Sequence, residues 1–332
     1  MLRVAVDIGG TFTDGVAVLS PAGRIWVGKT PTTPDDPGEA VSTVILDLLR
    51  QVGGEARGLG EVVHGTTLIT NTLIERKGSR TALVTTSGHR DMLDIGREWR
   101  YDIYDLDIVL PRPLVAPEDR VTVDERLNVR GEVLQPLSGT ELARISEELK
   151  TLGVESIAVS LLHAYINDVH ERAIRERLSD ALPSVAVSLS SEVTREIKEF
   201  ERTSTTAANA YVKPIVAAYL QELEARLAHI QKGVPLRIMV SSGGFTSAKS
   251  AAHTPILLLE SGPAAGVLSA LNTAHQNGFD HVLAFDMGGT TAKACVAVGG
   301  EPPVAHAFEC ARVERFKRGS GLPILIPSID LI

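Results

Sequence analysis

Two short stretches carry the residues best suited to chemistry: Asp7-Ile-Gly-Gly-Thr-Phe-Thr-Asp14 near the start of the chain and Asp286-Met-Gly-Gly-Thr-Thr-Ala-Lys293 near its end. Each follows an apolar run, Val4-Ala-Val6 or Leu283-Ala-Phe285, and each precedes another, residues 15–19 or 294–298. A tight turn between two strands, with Gly at its crowded positions, lets successive backbone N–H groups converge on an anion. Gly9, Gly10, Gly288 and Gly289 are therefore expected to cradle a phosphate, with hydroxyl donors from Thr11, Thr13, Thr290 and Thr291. Carboxylates repel phosphate, so Asp7 and Asp286 are expected either to hold a Mg²⁺ that carries the phosphates or to orient an attacking group. One Gly-Gly turn would mean little, because such turns are common and most bind nothing. The repetition carries the reading: Asp286 lies 279 residues after Asp7, and the unit around it repeats apolar strand, Asp, apolar residue, Gly, Gly, Thr.

Two further features are candidates for the same chemistry. Glu260-Ser-Gly-Pro-Ala-Ala-Gly266 reads as a helix start, with Pro263 in the first turn and small residues for close packing. Glu260 is expected to enter a cleft there, and the small residues to form a crossing about which domains move. His64 ends a strand before Gly65-Thr66-Thr67. It could touch substrate and move a proton, or simply hold the loop by hydrogen bonds. Asn71, Arg97 and Arg100 are weaker candidates.

The elements that must position these residues are legible in the pattern. Strands at residues 3–7, 15–19 and 24–29 form a meander, and Asp36-Pro37-Gly38-Glu39 opens a helix whose apolar positions run from Val41 to Val52. A strand at 61–64 leads into the His64 loop, and another follows at 81–85. Residues 88–135, with Pro111, Pro113 and Pro117, read as an insertion lying on the main domain. Ser138-Gly-Thr-Glu141 is a capping box, and strand 156–162, helix 168–182 and strand 185–189 make a parallel α/β unit. A helix over 205–231 should be kinked or started by Pro214. The division expected is residues 1–190 as a first domain and 191–332 as connecting helices and the start of a second.

Composition narrows the function classes. With 332 residues, 44% hydrophobic, the chain is long enough for two domains. A net charge of −8 and no basic stripe interleaved with aromatics argue against nucleic acid. Two cysteines, Cys295 and Cys310, give neither a disulfide framework nor a metal cluster. No apolar run is long enough for a membrane span and the N-terminus has no signal h-region, so a cytoplasmic enzyme is expected.

Taken together, Asp7-Ile-Gly-Gly-Thr-Phe-Thr-Asp14, His64-Gly-Thr-Thr67 with Asn71, Glu75-Arg-Lys-Gly78, Ser261-Gly-Pro-Ala-Ala-Gly266 and Asp286-Met-Gly-Gly-Thr-Thr291 resemble the hydantoinase A/5-oxoprolinase family over nearly the whole chain. The resemblance implies an α/β fold of the actin-like ATPase, or ribonuclease H-like, class, with one complete domain and the start of another. It also implies ATP and Mg²⁺ as cofactors and hydrolysis of a cyclic amide of the hydantoin or 5-oxoproline type, after phosphorylation of its carbonyl oxygen. Asp7, Asp286, Glu260 and His64 would be the catalytic residues, and Asp7 and Asp286 the metal ligands. A ketone carboxylase subunit, for acetone or acetophenone, is the alternative within the family; a non-catalytic nucleotide-binding protein is the alternative outside it. Family members continue well past the second hairpin, so a truncated or split chain is expected. Its partners would be a hydantoinase B-type subunit and a segment completing the second domain.

Overall fold

Burial alternates along Leu2–Ile8: Leu2, Val4, Val6 and Ile8 face inward, Arg3, Ala5 and Asp7 outward. Period-2 alternation of this kind makes a half-buried strand, and in the computed structural model, which describes residues 1–33, 35–55, 58–287, 292–314 and 317–331, it is central to a six-stranded sheet. The order is Phe245–Ser247, Leu236–Met239, Leu59–Thr66, Leu2–Ile8, Phe12–Leu19, Arg24–Pro31. Leu2–Ile8, Phe12–Leu19 and Arg24–Pro31 form the antiparallel meander; Leu59–Thr66 lies parallel to Leu2–Ile8, and Leu236–Met239 parallel to Leu59–Thr66. A three-stranded meander flanked by parallel strands is the ribonuclease H-like arrangement expected from the sequence.

The inward face is covered by the helix Pro37–Val52, which starts where the sequence signals it. The Asp36 side chain accepts from Glu39 N at 3.2 Å, Pro37 opens the first turn and Gly53 ends the helix. Its Val44 and Leu48 approach the sheet so closely that a Cβ on Gly15 would lie 2.8 Å from Val44.

By compactness the chain divides into two units. One comprises Met1–Asn71, Val216–His306 and Pro327–Ile332, the other Thr72–Ile215 and Ala307–Ile326. The first contains both hairpins, whereas the sequence division placed them in separate domains. The long helix runs Glu199–Ile230 with Pro214 inside it, rather than starting near Pro214, and contributes to both units.

The second unit is built on a parallel sheet ordered Ala186–Leu189, Ser156–Ser160, Thr81–Thr86, Arg120–Val123. Helices Gly139–Leu152 and Val169–Ala181 bury Ile145, Leu149, Ile174 and Leu178 against one face, where Ile157 and Val159 lie. Ala207 and Ala210 of the long helix pack with Leu83 and Ala158. Gly78 permits a close approach here, since a Cβ would stand 2.0 Å from the Tyr211 ring. The expected insertion at 88–135 needs correcting in part: Arg120–Val123 pairs in register with Thr81–Thr86, so buried Val121 and Val123 make it a strand of the sheet.

Candidate functional site

The two hairpins repeat in register as well as in sequence. In the first, Asp7 faces Asp14 and Ile8 faces Thr13; in the second, Asp286 faces Lys293 and Met287 faces Ala292. The first turn is tightened by Gly9 N donating to Phe12 O at 2.9 Å, and Gly10 and Thr11 stand exposed at its tip. Thr13 points the other way: it is fully buried, with its hydroxyl 3.1 Å from that of Thr32, while Thr32 donates to Gly9 O at 2.9 Å. Thr13 thus braces the turn from behind. Gly288, Gly289, Thr290 and Thr291, expected to cradle phosphate in the second hairpin, lie outside the described residues.

Asp7 sits on the outward face of the sheet in a notch bordered by two glycines. A Cβ on Gly65 would lie 2.7 Å from Asp7 Oδ1, and one on Gly262, in the first turn of the helix Ser261–Gln276, 3.3 Å from it. The carboxyl remains solvent-accessible but crowded. Its pKa is raised above the ordinary carboxylate value, first by lost hydration, then by the charges of Asp14 and Asp286. Asp14 is in turn paired with Lys29 at 3.0 Å. The contribution of Asp286 is the smallest of the three, and it brings the charge of the second hairpin to bear on Asp7.

Glu260 precedes that helix in a left-handed conformation, φ 64°, and pairs with Lys293 Nζ at 3.3 Å. Glu260 therefore links the helix start to the second hairpin, and Lys293 is the cross-strand partner of Asp286. The sequence reading did not single out Asp14, Lys29, Gly65, Gly262 or Lys293. Asp14 and Lys293 were recoverable from the hairpin register, which sets them opposite the two aspartates; Gly65 and Gly262 meet only through the tertiary fold.

His64 is placed differently from the expectation of a residue open to substrate. It is fully buried on the inward face, opposite to Asp7. Its Nδ1 lies 3.2 Å from Val6 O, which can only accept, so Nδ1 carries the proton and Nε2 accepts from the Tyr219 hydroxyl at 2.7 Å. Both nitrogens are engaged, which gives the ring a bracing position behind the strand that bears Asp7. Burial lowers its pKa from 6.5 to about 4. The folded protein therefore keeps His64 neutral while the unfolded chain protonates it. Stability is full above pH 6.5 and falls as pH drops towards 4, by on the order of 3 kcal/mol. Urea unfolding of wild type and His64→Gln between pH 7 and pH 4.5 checks this (~2.5 pH units, within that window). The variant should be weaker at pH 7 but flatter with pH, and identical slopes would exclude His64 as the group.

Among the described residues no group of three or more His, Cys, Asp or Glu side chains could cage a metal, and no helix is long and apolar enough to cross a membrane. The donor chemistry of the two strand-borne carboxylates Asp7 and Asp286 is of a kind Mg²⁺ accepts, because that ion commonly takes one or two carboxylates and completes its shell with other oxygen ligands and water.

A family model described as hydantoinase/oxoprolinase N-terminal region matches residues 3–182, and one described as hydantoinase/oxoprolinase matches residues 202–331. The chain belongs to the hydantoinase/oxoprolinase family. It is 37% identical to an uncharacterised protein of Methanocaldococcus jannaschii, over 99% of this chain and 49% of that protein. It is 29% identical to the caprolactamase subunit alpha of Pseudomonas jessenii, over 90% of this chain and 44% of the relative. The nucleotide-free structure of an acetone carboxylase, from work on ATP-dependent acetone carboxylation, superposes with a TM-score of 0.85 at 25% identity, covering 99% of this chain and 47% of that one. The chain thus spans about half the length of these relatives.

Proposed function

We propose that this hydantoinase/oxoprolinase-family chain carries the phosphate-binding part of an enzyme that uses ATP to activate the carbonyl of a cyclic amide of the hydantoin or 5-oxoproline type. The observation that carries the reading is the pair of hairpins in identical register, with Asp286 acting on Asp7. The first turn would receive phosphate through Gly9, Gly10 and Thr11. Asp7 and Asp286 would hold Mg²⁺, which when bound neutralises phosphate charge. In the transfer, the amide oxygen bonds to the γ-phosphorus as the bond to ADP breaks. Phosphoryl transfer demands chiefly positioning and charge neutralisation, which two strand-borne carboxylates and a backbone cradle supply. Glu260, holding Lys293, would set the second hairpin against the first. A cytoplasmic location suits such an enzyme.

The reading includes a companion polypeptide. Leu283, Phe285, Met287, Val296 and Val298 project from one face of the second hairpin and are 55–73% exposed, an apolar surface a two-stranded element does not leave bare without consequence. A segment or subunit that covers this face would complete the nucleotide site, alongside a hydantoinase B-type subunit. Isothermal titration of the chain alone with Mg-ATP should therefore give weak or undetectable binding, and tight binding would sink this part.

Activity is tested by following ADP formation in the complete assembly, with hydantoin or 5-oxoproline added separately from acetone plus bicarbonate. Stimulation by the cyclic amide supports the proposal. Stimulation by the ketone alone assigns the chain to the carboxylases, a reading favoured by the acetone carboxylase superposition. Stimulation by neither overturns both.

A further inference from the structure

The six-stranded sheet of the first unit ends on a strand whose outer edge its own hydrogen bonding leaves open. Thr32 N donates to Thr11 O at 2.9 Å, while Gly9 N donates to Phe12 O and Ser20 N to Met1 O on the other side of the middle strand. In an antiparallel ladder the backbone groups of successive residues point to alternate sides. Even-numbered residues of Phe12–Leu19 therefore bond to Leu2–Ile8 and odd-numbered ones to Arg24–Pro31, where Arg24, Trp26, Gly28 and Thr30 bond back. The N–H and C=O of Ile25, Val27 and Lys29 point away from the sheet, and Pro31 offers only a carbonyl there. Among the described residues no strand pairs with this side. Gln51 Nε2 reaches over it to donate to Val27 O at 3.4 Å.

A long edge strand is normally blunted by charge, by a bulge or by a cover. Here Ile25 and Val27 are 64% and 66% exposed, and Lys29 is turned back to Asp14 at 3.0 Å and over the Phe12 ring. The strand is an open template, and its sequence is complementary to itself. About a twofold axis through Val27, antiparallel pairing sets Val27 against Val27 and Ile25 against Lys29 of the second copy. That register joins the free N–H of all three residues to a carbonyl in both directions. It also sets Trp26 beside Gly28 and Arg24 beside Thr30, so a bulky side chain meets a small one and no cation faces a cation. Neighbouring registers do worse. An axis at Lys29 opposes two ammonium groups and calls on Pro31, which has no N–H; one at Ile25 runs into the turn, where Gly23 N is already bonded to Leu19 O.

The helix behind the sheet leaves room for this. Val44 and Leu48 of Pro37–Val52 lie over both Gly15 and Gly28, which face each other across the last two strands, so the helix is centred over that pair and set back from the edge. With strands about 4.8 Å apart, the two helices would stand about 10 Å from each other, a normal packing distance. We propose that the Arg24–Pro31 edge pairs with the same edge of a second copy of this chain, joining the two sheets into one about a twofold axis at Val27. Asp7 and the turn at residues 9–11 lie outside the paired residues, so the proposal stands independently of the phosphate-binding reading. One strand pair backed by one helix pair is a small interface, and the dimer should dissociate on dilution.

The test is sedimentation velocity of the full chain from about 1 to about 100 μM, the range of weak specific association, where a monomer–dimer equilibrium is expected. Val27→Lys places two ammonium groups at the axis and should weaken the dimer about tenfold or more. The melting temperature of the dilute chain should not change, because this side chain is exposed. Val27→Cys should give a covalent dimer under mild oxidation, since directly paired residues lie about 5.5 Å apart at Cα, within disulfide range. Ile25→Cys alone should not, because the two copies of residue 25 lie about 13 Å apart along the strands; mixed with Lys29→Cys it should. The native Cys295 and Cys310 are buried, and wild type treated alike is the control. A dimer that survives Val27→Lys, or equal crosslinking of the single variants at positions 25 and 27, would place the contact elsewhere, as at the bare face of the second hairpin, and overturn the proposal. A chain that stays monomeric throughout would also overturn it, leaving the edge to a strand of another polypeptide.

Discussion

Asp7→Asn is expected to lower amide-stimulated ADP formation by the complete assembly about a thousandfold, the cost of removing a charged group aimed at a reacting phosphoryl centre, without lowering the melting temperature of the chain. The second half of this expectation comes from the sign of the pKa shift. The folded-state pKa of Asp7 is raised, by lost hydration first and by Asp14 and Asp286 next. A carboxyl of this kind stabilises the fold only below its unfolded-state pKa, and that contribution is lost as pH rises through the folded value. At neutral pH its ionised form is a net cost, which a neutral amide removes. The carboxyl is open to solvent, so screening reduces the effect and only its direction is expected. Strain held at a reacting site at the expense of stability takes this form. Activity within tenfold of wild type, or a lower melting temperature, would remove Asp7 from the chemistry (a tenfold change being only ~1.4 kcal/mol).

Much of this site is readable in the chain because local rules govern it. A strand, a Gly-Gly turn and a returning strand fix the hairpin, and its register sets Asp14 opposite Asp7 and Lys293 opposite Asp286. The capping signals at Asp36 and Ser138 placed two helix starts correctly, since a side-chain acceptor on the N3 amide is a local interaction. Where distant segments decide, the pattern leaves alternatives open or misleads. For His64 it left substrate contact and loop bracing both open, and strand alternation turns the ring inward to Tyr219, a residue 155 positions away, in the bracing position. The stretch 88–135 looked like an appendage because prolines interrupt it, yet the short run Arg120–Val123 has the buried valines of a sheet strand. Pro214 did not start the long helix: a proline removes one backbone donor, and the turns on either side, packed through Tyr211, Val212, Val216 and Tyr219, carry the helix across it.

Gly65→Ala should reduce the same activity about a hundredfold by moving Asp7 while leaving its charge intact, since an error of about 1 Å in a reacting group costs on that order. An alanine fits a strand without backbone strain, so the methyl group itself is the perturbation. It would stand 2.7 Å from Asp7 Oδ1, inside contact distance, and the end of the aspartate side chain is the part free to yield. Gly262→Ala makes the graded comparison: the methyl there would stand 3.3 Å away, close enough to press on the carboxylate without displacing it far, so a loss of only a few-fold is expected. A double-mutant cycle separates displacement of Asp7 from general damage. If Gly65→Ala acts through the carboxylate, it should cost little further in an Asp7→Asn background, because two changes in one contact do not add. Equal losses in both backgrounds would place the effect of Gly65 elsewhere, in the packing of its strand, and detach the glycine notch from catalysis.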